Sequence, residues 1–262
     1  MTIAVKSNGN VWMRSGGGLW AKPSASGSIT MVQKSTDAVM LFSSGIWSPA
    51  TSTLSSVAAG NLVLSMGVWW NADDMGAAQE IPTDSNGTLT GAGAANPTVP
   101  DNPTPDPGWP VAPQICYIAN ANSGNHVLTP LSPGSGGDGY FFGVEFNKPG
   151  ATWSLVDSGY QFEGSSTPGA IDTVTVTTDG TAAQAGDLVV ALVVLDGDPT
   201  AFGIGEPSGY TALFSTSTTS NNVSGGAGYK TASGSGAQSA TWSWSDAATQ
   251  MAGAVIAVFR PS

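Results

Sequence analysis

The sequence predicts an all-β protein: two tandem jelly-roll-like β-sandwiches preceded by a short N-terminal arm. Three observations point there: a glycine-rich, charge-poor composition, short alternating apolar segments between turn residues, and an internal repeat. Among 262 residues, Lys and Arg number 7 against 18 Asp and Glu, a net charge of −11. Only 10% of residues are charged while 40% are apolar, enough to build a core. Gly occurs 35 times, nearly double its usual ~7%, which suits tight turns and works against long helices. The longest apolar run, Leu188 to Leu195, has 8 residues, far short of the ~20 of a membrane helix. So few scattered cations argue against nucleic-acid binding, which needs them clustered. Cys116 is the only cysteine, so no intrachain disulfide framework can form.

The first element is the arm, residues 1–28. It holds Lys6, Arg14 and Lys22 and no acid, a charge of +3; the remainder carries four cations against 18 acids, −14. Asn8-Gly9 is a hairpin signal between Val5 and Trp12, and Gly18-Leu19-Trp20 repeats the Trp-bearing theme. So short a segment cannot bury two indoles by itself. It is expected to dock, either on a partner protein or back on the first sandwich, through Trp12, Trp20, Lys6, Arg14 and Lys22.

The two sandwiches are expected at 29–149 and 150–262, because the chain repeats itself. Ala59-Gly60-Asn61-Leu62-Val63-Leu64 aligns with Ala185-Gly186-Asp187-Leu188-Val189-Val190 at an offset of 126. Tyr117 with Ser123-Gly124 aligns with Tyr229 and Ser235-Gly236 at an offset of 112, and Phe146 to Pro149 with Phe259 to Pro261. The first copy therefore carries 14 extra residues between Val68 and Tyr117. Seven of the 17 prolines fall in 96–113, which houses the excess; 97–113 is expected to run extended over the surface and not to form a central strand.

Within each copy, short strands follow one another. Leu62, Leu64, Met66 and Val68 alternate with Val63, Ser65 and Gly67, the period of a half-buried strand. Its equivalent from Leu188 is continuously apolar, as in a central strand covered on both faces. Thr173 to Thr177 and Ala240 to Ser245 alternate, the latter placing Trp242 and Trp244 on one face, expected to be core. Ala254 to Phe259 closes the second copy, and Pro261 ends it.

No arrangement for catalysis emerges. Cys116 and the only histidine, His126, fall opposite Gly228 and Gln238 in the repeat, so a buried thiol and a turn-flanking imidazole are expected, not a catalytic pair. No Gly-x-Ser-x-Gly elbow or His-Glu-x-x-His helix is present. Gly134-Ser135-Gly136-Gly137-Asp138-Gly139 runs into a strand, so it offers no helix N-terminus to a phosphate. Asp196 and Asp198, and Asp73 and Asp74, follow equivalent strands; they read as solvated acidic turns, with too few ligands for a calcium site. No cofactor and no metal is expected. Trp69-Trp70 must point to opposite sides of a strand, and Trp109 sits in the Pro-rich loop. These three are the candidate glycan or partner contacts, the alternative being that each pins its own loop.

The second copy resembles a domain recurrent in virion structural proteins of tailed bacteriophages, tail- or fibre-associated or capsid-decorating. The likeness rests on Ala185-Gly186-Asp187-Leu188-Val189-Val190, Pro207-Ser208-Gly209-Tyr210, Tyr229-Lys230 and Ala254 to Arg260, about 75 residues. The first copy departs from it, with Ile81-Pro82-Thr83-Asp84 in place of Pro-Ser-Gly-Tyr. The resemblance implies a non-enzymatic sandwich displayed on a virion in several copies, and it supplies no catalytic residues. The expected role is a tail-tip or fibre component. Its partners would be other virion proteins, further copies of the chain (a trimer among the options) and a host-cell glycan, with no nucleic acid and no membrane insertion. Met1 to Lys6 shows no apolar segment of a signal peptide, which agrees with assembly in a host cytoplasm. The alternatives are a capsid decoration protein or head fibre, a free carbohydrate-binding module, which should bear an export signal, and a glycoside hydrolase. The hydrolase would lose activity on a single carboxylate change.

Overall fold

The structure, a computed structural model, describes residues 3–5, 11–15, 18–21, 27–40, 42–43, 46–47, 51–70, 82–92, 111–129, 138–164, 171–196, 203–215, 223–244 and 251–262. Strands β1 (Ile3–Val5), β2 (Val11–Ser15) and β3 (Gly18–Ala21) belong to the arm. The first half holds β4 (Thr30–Lys34), β5 (Ala38–Met40), β6 (Phe42–Ser43), β7 (Ile46–Trp47), β8 (Ser52–Val57) and β9 (Leu62–Trp70). It continues with β10 (Thr83–Asp84), β11 (Thr90–Gly91), β12 (Val111–Ile118), β13 (Gly124–Thr129) and β14 (Asp138–Asn147). The second half holds β15 (Trp153–Gly164), β16 (Thr173–Thr177), β17 (Leu188–Asp196), β18 (Thr211–Ser215), β19 (Val223–Thr231), β20 (Ser239–Ser243) and β21 (Met251–Pro261). Among the described residues there is no helix, and every strand pair is antiparallel. The fold is all-β.

Two large sheets form the body. In the first half the order is β11-β12-β9-β14-β4, with β5 also on β14; in the second it is β15-β21-β17-β19-β18. Each large sheet is backed by a small one, β10-β13-β8 in the first half and β16-β20 in the second. A bridge from Gly205 to Ser243 adds to β20 what β10 adds to β13. Strand for strand, the pairing order of one half repeats that of the other.

The repeat extends to single hydrogen bonds. The Asn61 amide donates to the Ala58 carbonyl (3.3 Å), Gly60 donates to Ala121, and Ala121 returns a bond to Asn61. In the second half Asp187 donates to Gln184 (3.1 Å), Gly186 to Ala232, and Ala232 to Asp187. Both turns need a residue with positive φ, +85° at Gly60 and +94° at Gly186, a conformation only glycine adopts without a penalty. That is why Ala-Gly-Asn and Ala-Gly-Asp are the alignable core of the repeat.

The inner faces of the two large sheets pack on each other. One cluster of buried side chains draws Leu62, Leu64, Met66, Val68, Tyr140, Phe142 and Phe146 from the first half and Leu188, Val190, Leu192, Val194, Phe214 and Phe259 from the second. The opposite face of β17 (Val189, Ala191, Val193, Leu195) packs under Trp242 and Trp244 of the small sheet. The unbroken apolar run of β17 is thus explained: both its faces are covered. In the first half the outer face is covered by two lesser clusters, around Leu54 and Val63 and around Leu128 and Phe141. The division at 149/150 falls in a short turn, where Ala151 donates to Lys148 (3.1 Å), but the largest core ignores that boundary.

The Pro-rich segment 97–113 requires a correction at its C-terminal end. Its residues 97–110 lie outside the described residues, but Val111 to Pro113 form the start of β12, flanked by β9, with Pro113 opposite Val68. The Ile115 carbonyl accepts from the Ala92 amide (2.8 Å), so residues 115 and 113 turn their backbone groups toward β11. The described pairing of β11 stops before Pro113. Its missing N–H therefore costs no ladder bond, which is how a proline enters this strand.

Candidate functional site

The chemistry-bearing side chains of the body are mostly spent on holding it together. His126, expected beside a turn, is the third residue of β13, just past the turn at 119–123, and is fully buried. Its Nδ1 lies 2.5 Å from Asp84 Oδ2, and its Nε2 3.0 Å from the Asn122 carbonyl. Neither the imidazole nor the carboxylate of Asp84 reaches solvent. Cys116 is buried as expected, beside Leu89, Leu128 and Phe141, and burial pushes its thiol from 9.0 up to about 12. A thiol held that far from ionisation is no nucleophile. The buried Glu145 accepts from Asn61 Nδ2 (2.6 Å), Gln33 Nε2 (2.6 Å) and the Ala58 amide (3.1 Å). Asp187, at the place of Asn61 in the repeat, is gripped instead by Arg260 through Nε (3.1 Å) and Nη2 (2.8 Å).

The residues that carry the family resemblance also have structural work. Pro207-Ser208-Gly209-Tyr210 is a tight turn, Tyr210 donating its amide to the Pro207 carbonyl (3.1 Å). The Tyr210 hydroxyl donates to Ser239, and Lys230 Nζ stands 4.6 Å over the ring. Burial lowers the pKa of Lys230 and raises that of Glu206 beside them. Among the described residues no group of three metal-ligating side chains converges.

What the fold does create is a molecule with two unlike ends. At one end lie the short turns at 58–61, 148–151 and 184–187, the start of β4 and the last residue, Ser262, which exchanges two backbone bonds with Thr152. The arm joins here, and Gly27 lies against Pro149: a Cβ on it would stand 3.3 Å from the proline ring. At the other end, Trp70 is flanked by Val111 and Asp138, and Asp196 by Val223. The chain segments 71–81, 93–110, 130–137, 197–202, 216–222 and 245–250 leave from and return to this rim.

The two halves present their rims together. A Cβ on Gly225 would stand 3.1 Å from Val68, and one on Gly253 2.9 Å from Pro113, so rim residues of one half touch rim residues of the other. At the opposite end Phe146 meets Tyr229, and Asn120 bonds both backbone groups of Trp153.

Charge follows the same axis. Outside the arm the cations are Lys34, Lys148, Lys230 and Arg260; the last three lie at the arm's end of their strands or turns, while Lys34 stands midway along the first sheet, opposite Val144. The rim segments contain Asp73, Asp74, Glu80, Asp101, Asp106, Asp198 and Asp246, and the strands end there on Asp138 and Asp196.

No protein-family model, curated protein or solved structure matches this chain. The placement of the sequence-predicted residues therefore rests on the geometry. Trp69 and Trp70 end β9 at the rim, opposite Ala112 and Val111. Trp109 lies outside the described residues, two positions before Val111. Trp12 and Arg14 lie on β2 and Trp20 on β3, where Trp12 is paired with Ala4 and Ala21, and Trp20 with Met13. Lys6 and Lys22 lie outside the described residues. Among the described residues β1, β2 and β3 pair only with one another, which includes the expected hairpin across Asn8-Gly9. Sequence reasoning missed the exposed pair Met31 and Val32, 39% and 50% accessible, on the edge strand just beyond the arm. β4 is short, and its pairing with β14 is interrupted by a bulge at Val32.

Proposed function

We propose that this chain is a non-enzymatic structural protein of a bacteriophage virion, a tail-tip or fibre component attached through its arm and displaying its far rim. The observation that carries this reading is the separation of the two ends: the basic, Trp-bearing arm enters at one, and the long acidic connections with Trp69, Trp70 and Trp109 belong to the other. Strands of about nine residues set the ends roughly 30 Å apart. Each half is read as a jelly-roll-like sandwich, a reading supported by the repeated strand order. The rim Trp residues suit a host-surface glycan, whose sugar rings stack on flat aromatic faces. Met31 and Val32 lie beside the arm, where an attachment surface would extend.

The test is removal of residues 1–23. The truncated chain should fold, with an unchanged far-ultraviolet circular dichroism spectrum for the body, and fail to enter particles. Trimming 97–109 should leave incorporation intact and weaken only host or neighbour binding. An arm deletion that still enters particles refutes the attachment role. Labelling the chain in a low-resolution particle image separates a tail position from the capsid surface.

A further inference from the structure

The aromatic contacts between the halves come in an exchanged pair. Phe146 meets Tyr229 at 5.1 Å and 68°, and Phe259 meets Tyr117 at 5.2 Å and 65°. Phe146 and Phe259 are equivalent in the repeat, as are Tyr117 and Tyr229; exchanging the halves turns one contact into the other. That is the signature of a two-fold, isologous interface, in which one surface recognises itself. The centre of the face obeys the same rule, β9 and β17 both offering a row of aliphatic side chains.

One place breaks the symmetry. Phe214 of the second half packs on Tyr140 (5.7 Å) and stacks on Phe142 (5.5 Å, 24°), and Lys34 Nζ stands 4.9 Å over Phe142. By strand register the counterparts of Tyr140 and Phe142 on β21 are Gly253 and Val255. The aromatic group therefore exists once, not twice, and only an unlike pair of halves can form it.

We propose that the face shared by the halves is a self-recognition surface: the chain is a dimer of like halves closed on itself, each half able to take a second copy of itself. Phe214 is the residue that biases the face toward its unlike partner. This rests on the reading of the halves as two copies of one sandwich.

The test uses the full chain carrying a protease site within 148–151. Cut while folded, the halves should stay together. Unfolded in denaturant, refolded as a mixture and weighed by native mass spectrometry, they should give all three pairs, with the unlike pair in excess of the statistical share. Phe214→Ala should lower the unlike-to-like ratio by roughly tenfold, the shift expected from losing two aromatic contacts. Only unlike pairs from both proteins, an unchanged ratio in Phe214→Ala, folded single halves, or no soluble pairs would each overturn the proposal. Arm deletion reports separately: loss of like pairs with particle entry still arm-dependent removes this inference and leaves the attachment role standing.

Discussion

If the two halves share one core, damage placed in the first must be felt in the second. Leu64 is the place to strike. It is fully buried on β9, opposite Tyr117 and Val144, and its side chain faces the second half. Leu64→Ala removes three buried carbons and leaves a cavity in a sheet-on-sheet interface that cannot readily collapse, so the cost should be about 2–5 kcal/mol. For a chain of this length that is roughly 4–20 °C of melting temperature. The informative assay is native-state hydrogen exchange, which resolves the amides of β9 from those of β17. The slowest-exchanging amides of β17, more than 120 residues away in sequence, should lose the same free energy as those of β9. Unfolding should remain one transition. Unchanged β17 amides, or two transitions of which only the first moves, would show that the halves are separate folding units joined by a string.

Four further outcomes are expected. Val190→Asp sets a carboxylate with no partner into the same interface and should abolish folding of the chain; a soluble mutant with a cooperative melt contradicts the placement. His126→Phe leaves Asp84 buried without its partner and should cost about 3–5 kcal/mol, much of it recovered by Asp84→Leu in the same chain, as read from urea midpoints. Gly159→Ala should destabilise by about 1–3 kcal/mol or more, because its Cβ would stand 2.0 Å from the Thr177 carbonyl, and backbone on both sides must move. Cys116 binds its proton up to about 12 when folded and only to 9.0 when free, so between those values the native state holds more protons and stability falls as pH rises. Alkaline titration of urea stability should show that loss, and Cys116→Ala should flatten it.

Much of this fold is written in local pattern. β17 announces itself because both faces are apolar, and Trp242 and Trp244 because they alternate with serine. The repeat shows because Gly60 and Gly186 each occupy a backbone conformation that admits little else. What the pattern cannot say is which surface covers which. A row such as Leu62, Leu64, Met66 and Val68 reads as buried whether it meets its own small sheet or the other half. The pairing of His126 with Asp84 joins residues 42 apart through a register that belongs to the first half alone. Pro113 looked like a loop residue because proline is costly in a central strand; the short reach of β11 removes that cost, and no local signal reports it.

The orientation of the halves matters more for function than their identity as copies. Two like sandwiches could pack face to face with their strands running the same way or opposed. Were they opposed, each end would carry the short turns of one half and the long connections of the other, and the arm would emerge beside an acidic rim. The contacts exclude that arrangement: Val68 lies against Gly225 at the rim while Phe146 lies against Tyr229 at the base. The strands of the two large sheets therefore run so that the acidic connections of both halves lie at one end, while the arm joins at the other, where Lys148, Lys230 and Arg260 also lie. Packed this way, the connections of both halves form one continuous rim instead of two separate ones, and the arm joins the molecule at the end away from it.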